Sequence, residues 1–247
     1  MTVHFLGTGS ALTSADRTTT MLAVEASGAF FLVDCGGDAV HRLLRAGLDP
    51  AAVSAIVLTH EHPDHLSGFP LLLEKLWLHG RRDPIPVYGL ARTLHVARGL
   101  FGLFDTSSWS DMPDLVYIEI AGTEGAAVFE HGPFRVVASP VVHPVPTVGL
   151  RVEADGAVLA YSCDTSPCAP VVGLARGADL LIHEATGHLP GVHSSSEEAA
   201  ASAAEAGAQR LVLIHLPPVL PDLAPARALF PATDWAVEGA CMVVGRG

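Results

Sequence analysis

The chain has 247 residues, 49% hydrophobic and 16% charged, enough apolar material for a packed core and too much for a disordered chain. With 26 acidic against 14 basic side chains its formal net charge is −12 and Lys75 is the only lysine, so an extended nucleic-acid surface is disfavoured. No apolar run approaches the length of a membrane span, about 18 residues or more, no secretory leader opens the sequence, and the four cysteines form neither a Cys-x-x-Cys pair nor a disulfide framework. We therefore expect one α/β domain over residues 1–247, cytoplasmic and without a membrane partner.

Taken in order, Val3 to Leu6 reads as a strand, and Gly7-Thr8-Gly9-Ser10 as a tight structural turn, because no capped helix follows to hold a phosphate. Strands follow over Met21 to Glu25 and Ala29 to Val33, the second ending in Asp34-Cys35-Gly36-Gly37. A helix over Asp38 to Ala46, apolar at Val40, Leu43 and Leu44, stops at Gly47. Asp34 is placed either to orient an imidazole or to cap the turn.

The apolar run Ala55-Ile56-Val57-Leu58 reads as a buried strand and delivers Thr59-His60-Glu61-His62-Pro63-Asp64-His65-Leu66-Ser67-Gly68. Three imidazoles and two carboxylates within six residues are a dense set of metal-ligand types. His60 and His62, two apart on an extended backbone, project to one side and can grip one ion. Pro63 stops the strand, and Asp64 and His65 follow after the turn, aimed at a neighbouring position. Two ions fit this stretch better than one.

Downstream, Phe69 to Leu78 and Ala91 to Leu103 read as helices, with a short strand from Pro84 to Tyr88 between them. The polar stretch Phe104 to Asp111 suits either a loop that covers a substrate or a surface loop pinned by Trp109. Strands follow at Leu115 to Ile120, Phe134 to Val142, Val148 to Glu153 and Val158 to Ser162, with Asp155-Gly156 turning the last hairpin. A pattern then repeats: an apolar strand ends in a ligand type. Val136 to Val142 ends in His143, Val158 to Cys163 in Asp164, Leu180 to Ile182 in His183-Glu184, and Leu211 to Ile214 in His215. Ligands at strand ends can converge at one edge of a sheet. Cys163 is expected as a small buried strand residue rather than a ligand.

These residues resemble a known family. Phe5-Leu6-Gly7-Thr8-Gly9-Ser10, Asp34-Cys35-Gly36, the His-x-His-x-Asp-His core at 60–65, Tyr161-Ser162-Cys163-Asp164-Thr165, His183-Glu184-Ala185-Thr186 and Leu213-Ile214-His215 are together similar to the metallo-β-lactamase superfamily, specifically its ribonuclease Z-like phosphodiesterase branch. The resemblance spans nearly the whole chain and implies a four-layer αβ/βα sandwich, two mixed sheets face to face with outer helices and the site along one edge. It implies that His60, His62 and His143 hold one metal and Asp64, His65 and His215 the second, with Asp164 bridging. It also implies that Glu184 pairs with His193 to protonate the leaving oxygen. His193-Ser194-Ser195 stands at the matching position, with Ser195 and Glu198 spaced as a capping box for a helix up to Ala206. His188 lacks that helix-start setting and is the lesser candidate.

The chemistry is coherent. Two cations roughly 3.5–4 Å apart activate water at neutral pH and neutralise a phosphoryl group under attack. Zinc suits the imidazole-rich set, and manganese or iron is compatible with it. Asp64 is placed to orient the attacking water or take its proton, and a Glu-supported imidazolium is a suitable acid near neutral pH. Two departures from the ribonuclease Z pattern matter: only Pro144 to Cys163 separates His143 from Asp164, so the arm that grips tRNA is absent, and the tail after His215 lacks the usual Ser-Arg-Tyr-like sequence. The expectation is a dinuclear-metal hydrolase, a phosphodiesterase acting on a small phosphodiester such as a cyclic nucleotide, or on an RNA 3′ end. The alternatives are a thioester, lactone or lactam hydrolase of the same superfamily and a non-catalytic metal-binding module. A homodimer is common in the resembling branch and fits Leu71-Leu72-Leu73 and Trp77, which fit a core equally well.

Overall fold

The computed structural model describes residues 1–12 and 14–245. The first sheet takes β1 (Thr2–Gly7), β2 (Met21–Ala26), β3 (Ala29–Val33), β4 (Val53–Leu58), β5 (Ile85–Gly89) and β6 (Leu115–Glu119). The second takes β7 (Ala126–His131), β8 (Phe134–Pro140), β9 (Val148–Ala154), β10 (Ala157–Tyr161), β11 (Leu180–Glu184), β12 (Leu211–Ile214) and β13 (Thr233–Trp235), after which β14 (Cys241–Val243) returns to pair with β1. Both sheets are seven-stranded, ordered β14-β1-β2-β3-β4-β5-β6 and β13-β12-β11-β10-β9-β8-β7. Each joins antiparallel strands on one side to parallel strands on the other. The helices are α1 (Ala39–Arg45), α2 (Pro63–Leu66), α3 (Phe69–Leu78), α4 (Ala91–Phe101), α5 (Ala169–Ala175), α6 (Ser196–Ala206) and α7 (Ala224–Leu229).

Alternation along the strands makes the layers. Phe31, Val33 and Val57 point between the sheets, where Leu150, Ile182 and Ile214 of the second sheet meet them. Their neighbours Leu32 and Ile56 point the other way, onto Leu43 of α1, Leu72 of α3 and Leu94 of α4. On the far side, Leu181 and Leu213 pack against Ala199 and Ala203 of α6 and Ala226 of α7. Strands covered on both faces carry near-continuous apolar runs, which is why β4, β11 and β12 read so clearly in the sequence. The result is the αβ/βα sandwich with mixed sheets and outer helices that the motifs implied.

Several boundaries differ from the sequence reading. β8 ends at Pro140 rather than Val142, since proline offers no N–H to continue the ladder, and His143 lies in the loop beyond, where Val142 bridges Ser166. The strand β7 has no counterpart in the sequence reading, because its apolar run is short and half alanine, a weak strand former, before Glu130 and His131. Trp109 stacks on Trp77 with ring centroids 5.0 Å apart, and the Trp77 Nε1–H donates to the Ser110 carbonyl. The 104–111 loop is thus pinned onto α3. Among the described residues no helix is long and apolar enough to cross a membrane.

Candidate metal centre

The carboxyl ends of β3, β4, β10, β11 and β12 meet along one edge, and three of them turn sharply there. Asp34, Cys163 and His215 follow β3, β10 and β12 with φ of 61°, 54° and 55°, a left-handed conformation that costs a non-glycine residue about 1–2 kcal/mol. Such strain is retained where surrounding contacts fix it. At His215 the contacts are visible: the Leu216 N–H donates to the Thr8 carbonyl and the Ser10 N–H to the Leu216 carbonyl. The glycine turn at 7–10 is a clamp on this segment. A Cβ at Gly7 would lie 2.0 Å from the Thr19 carbonyl oxygen, so only glycine fits that approach.

Two sets of donor atoms assemble at this edge. The ring nitrogens of His60, His62 and His143 lie within 4.8 Å of one another, as do donor atoms of Asp64, His65, Asp164 and His215. Asp164 adjoins both histidines of the second set, with one oxygen 3.4 Å from His65 Nε2 and the other 3.3 Å from His215 Nε2. Asp64 reaches His215 Nε2 at 3.2 Å and His65 Nε2 at 3.5 Å.

The imidazoles are held from behind, and the acceptors behind them assign the tautomers. His65 Nδ1–H donates to Asp34 Oδ2 at 2.8 Å, and His143 Nδ1–H donates to the Val192 carbonyl at 2.9 Å. Thr59 Oγ1 donates to Asp34 Oδ2 and so presents its lone pairs to His60 Nδ1–H and to the Cys163 thiol. Thr186 Oγ1 likewise donates to the His215 carbonyl and accepts from His215 Nδ1–H at 2.7 Å. In each case Nε2 is the nitrogen left to face the cluster, the orientation that metal-binding histidines require. Asp34, with sequence roles open between imidazole orientation and turn capping, orients His65. Thr186 and Val192 were not anticipated; Thr186 lies inside the His183-Glu184-Ala185-Thr186 motif, whereas a backbone carbonyl leaves no signal in a sequence.

Electrostatics separates the sets. Burial, then the charge of His65, pushes the His60 pKa well below the ordinary range, leaving a neutral ring with a free lone pair. Burial opposes the charged form of Asp164, but His215 and His65 outweigh it and hold the carboxyl well below the usual carboxylate range. Burial also disfavours a charged His65, and Asp164 and Asp34 outweigh that in turn. His60 Nε2, His65 Nε2 and Asp164 Oδ1 are buried with no hydrogen-bond partner among the described residues. Buried polar atoms are rarely left so, and three converging at one edge fit a divalent cation.

Beside both sets stands a third group. Glu184 is fully buried and accepts backbone N–H bonds from Thr165, Thr186 and Ser194. His193 Nδ1–H donates to the same carboxylate at 2.9 Å, and its ring lies 5.5 Å from the rings of both His143 and His215. Burial works to lower the His193 pKa, but the hydrogen bond and charge of Glu184 prevail and raise it. The capping box between Ser195 and Glu198 is formed and fixes the start of α6 just after this histidine. His188 instead bonds Glu198 at 2.8 Å and is largely exposed. His183 is buried, with Nδ1 bonded to the Glu184 carbonyl, and belongs to neither donor set. Cys163 is buried against Thr59 and His60, its thiol pushed well up by burial.

Residues 30–216 match the family described as the beta-lactamase superfamily domain. A ribonuclease Z of Methanothermobacter thermautotrophicus is 30% identical, with 96% of this chain and 94% of that protein aligned. A ribonuclease Z of Mycobacterium sp. (strain KMS) is 35% identical over 89% of this chain and 85% of its own. Among solved structures, human tRNase Z, short form, superposes with a TM-score of 0.83 at 26% identity, with both chains fully covered. A diphosphatase of the PhnP family shares the fold with a TM-score of 0.81 at 21% identity, covering 98% of this chain and 97% of its own.

Proposed function

Since the chain belongs to the beta-lactamase superfamily and to its ribonuclease Z-like branch, we propose that it is a dinuclear-metal phosphodiesterase acting on a small phosphodiester, a cyclic nucleotide or a comparably small ester. In this reading His60, His62 and His143 hold one ion, Asp64, His65 and His215 hold the second, and Asp164 lies between them. The observation that carries the reading is the Glu184–His193 pair beside both donor sets. Bound divalent ions would supply activated water and neutralise phosphoryl charge. The protein's own groups do the rest. Asp64, beside His215 and His65 in the second set, is placed to orient the attacking water or accept its proton through a carboxylate oxygen. His193, whose protonated form Glu184 favours through Nδ1, has Nε2 left to deliver a proton to the departing oxygen. Cations at the neighbouring ligands would cancel the help His193 receives from Asp164 and Asp64, but not that of Glu184, which stands on its far side.

A small substrate is supported by the loop 141–147, which joins β8 to β9 directly and leaves no arm to grip an RNA, and by the net charge of −12. Cleavage at an RNA 3′ end is the second reading, favoured by the ribonuclease Z relatives. The imidazole-rich donors favour zinc, the free thiols Cys35, Cys163, Cys168 and Cys241 a cytoplasmic setting, and the exposed Leu71, Leu78 and Phe104 near α3 a homodimer.

The test is leaving-group dependence. His193→Ala should lower turnover of an alkyl phosphodiester by about 10²–10⁴-fold, the usual weight of a general acid, and that of a 4-nitrophenyl diester, whose leaving group needs no proton, far less. Equal losses on both esters would remove His193 from the acid role. Turnover of a thioester without any phosphodiester turnover would move the function to carbonyl hydrolysis.

A further inference from the structure

Next to the metal-binding edge, and sharing His143 with it, is a cavity of about 610 Å³. This is the size of a pocket for a nucleotide-scale ligand. Its walls are largely apolar: Leu90, Ile120, Pro140, Val141, Val145 and Pro146. Its charged groups are Arg92 and Glu119. Arg92 is set by a partner within the metal motif. Its Nε–H donates to Glu61 Oε2 at 2.6 Å, and Glu61 stands in the sequence between the donors His60 and His62. A guanidinium held through Nε keeps its two terminal NH2 groups as a free fork, the geometry that grips a phosphate or carboxylate through two parallel bonds. The Arg92 side chain is 59% exposed and Glu61 only 17%, and Arg92 lines the cavity whereas Glu61 is not among its lining residues, so the cationic member of the pair is the one presented there. The first turn of α4, which carries Ala91 and Arg92 into the same wall, has no side-chain cap. Negative charge is favoured there as well.

We propose that this cavity receives one ester arm of the substrate and that Arg92 selects an arm bearing a second anionic group. The proposal rests on the phosphodiesterase reading and narrows it. The scissile phosphorus would sit at the metal edge beside His143, with the flat or apolar body of the arm against the proline and valine wall. Glu119, an acceptor on that wall, faces hydroxyl or amino donors of the arm. Glu61 acts as the positioning residue: it fixes Arg92 relative to two metal donors. A simple dialkyl or diaryl phosphate fills the cavity but leaves the fork empty. The chemical class selected is a nucleotide-sized arm with a further phosphate or carboxylate.

The experiment is titration calorimetry on the metal-loaded full chain with thymidine 3′,5′-bisphosphate and thymidine 5′-monophosphate. The unmodified protein should bind the bisphosphate at least about tenfold tighter, the scale of one charge-assisted contact. Arg92→Ala should bring the two affinities together. Arg98→Ala, six residues further along α4 and over the Tyr117 ring at 4.3 Å, should preserve the difference. Arg92→Gln, measured with its melting curve, separates lost recognition from lost fold. Equal binding of the two ligands to the unmodified protein, no binding of either, or a preference that survives Arg92→Ala would each overturn the proposal. The phosphodiesterase reading fails by a different sign, the absence of diester turnover, which calorimetry does not use.

Discussion

Asp34 contacts neither donor atom that would face an ion, yet its carboxylate takes bonds from the Thr59 backbone and hydroxyl and from His65. Removing it frees the tautomer of His65 and, through Thr59, loosens His60. Asp34→Ala is expected to weaken metal binding about 10–100-fold, the usual effect of losing a group that orients a ligand, with the Asp64, His65 and His215 set losing more. Competition with a chromophoric chelator reads this directly; unchanged affinity would show that the imidazoles hold themselves. Asp34→Asn should lose less, since asparagine tolerates the left-handed backbone and keeps one acceptor. At this scale the sequence is uneven as a guide. His60, His62, Asp64 and His65 lie within six residues, so their local spacing announces them. Val192 and Thr186 act on His143 and His215 across 49 and 29 positions, and the Arg92–Glu61 pair spans 31, so only the folded chain brings their roles out.

At the level of elements, α2 delivers Asp64 and His65 because the loop after β3 packs backbone to backbone against it. A Cβ on Gly36 would stand 1.7 Å from the Asp64 carbonyl oxygen, and one on Gly68 2.2 Å from that of Gly37. Neither neighbour is a flexible side-chain end. Gly36→Ala should therefore destabilise the protein by about 2 kcal/mol or more and displace the second donor set. Gly99→Ala, inside α4 with open space around it, should instead stabilise by about 0.5–1 kcal/mol, as alanine does in a helix interior. Thermal melting of the two variants gives both signs; a harmless Gly36→Ala would mean that the loop can withdraw. The elements most legible in the sequence are those whose own pattern suffices: β4, β11 and β12 by apolar runs, and α6 by its capping box. β7, half exposed, and β14, defined only by its pairing with β1, depend on partners elsewhere in the chain. Trp109 belongs with these: its aromatic ring announced a contact, and only Trp77 shows which one.

Over the whole molecule, the donors are divided between the two sheets. His60, His62, Asp64 and His65 follow β4 of the first, while His143, Asp164 and His215 follow strands of the second. Between them runs the 120–125 connection, exposed from 121 to 125. The strands nearest the two ends of the chain are meanwhile hydrogen-bonded neighbours, Thr2 opposite Val243. Linear order is therefore incidental to the centre. A circular permutant, its old ends joined by a short glycine linker and its new ends opened between Thr123 and Glu124, would present the His143, Asp164 and His215 half first and the His60 to His65 half last. Strands already paired beside the junction are the geometry in which such rewiring succeeds. The permutant is expected to melt in one transition, to bind the same number of ions as the parent, and to lose thermal stability when they are chelated. Failure to bind them would mean that the centre depends on the order of synthesis as well as on the final geometry.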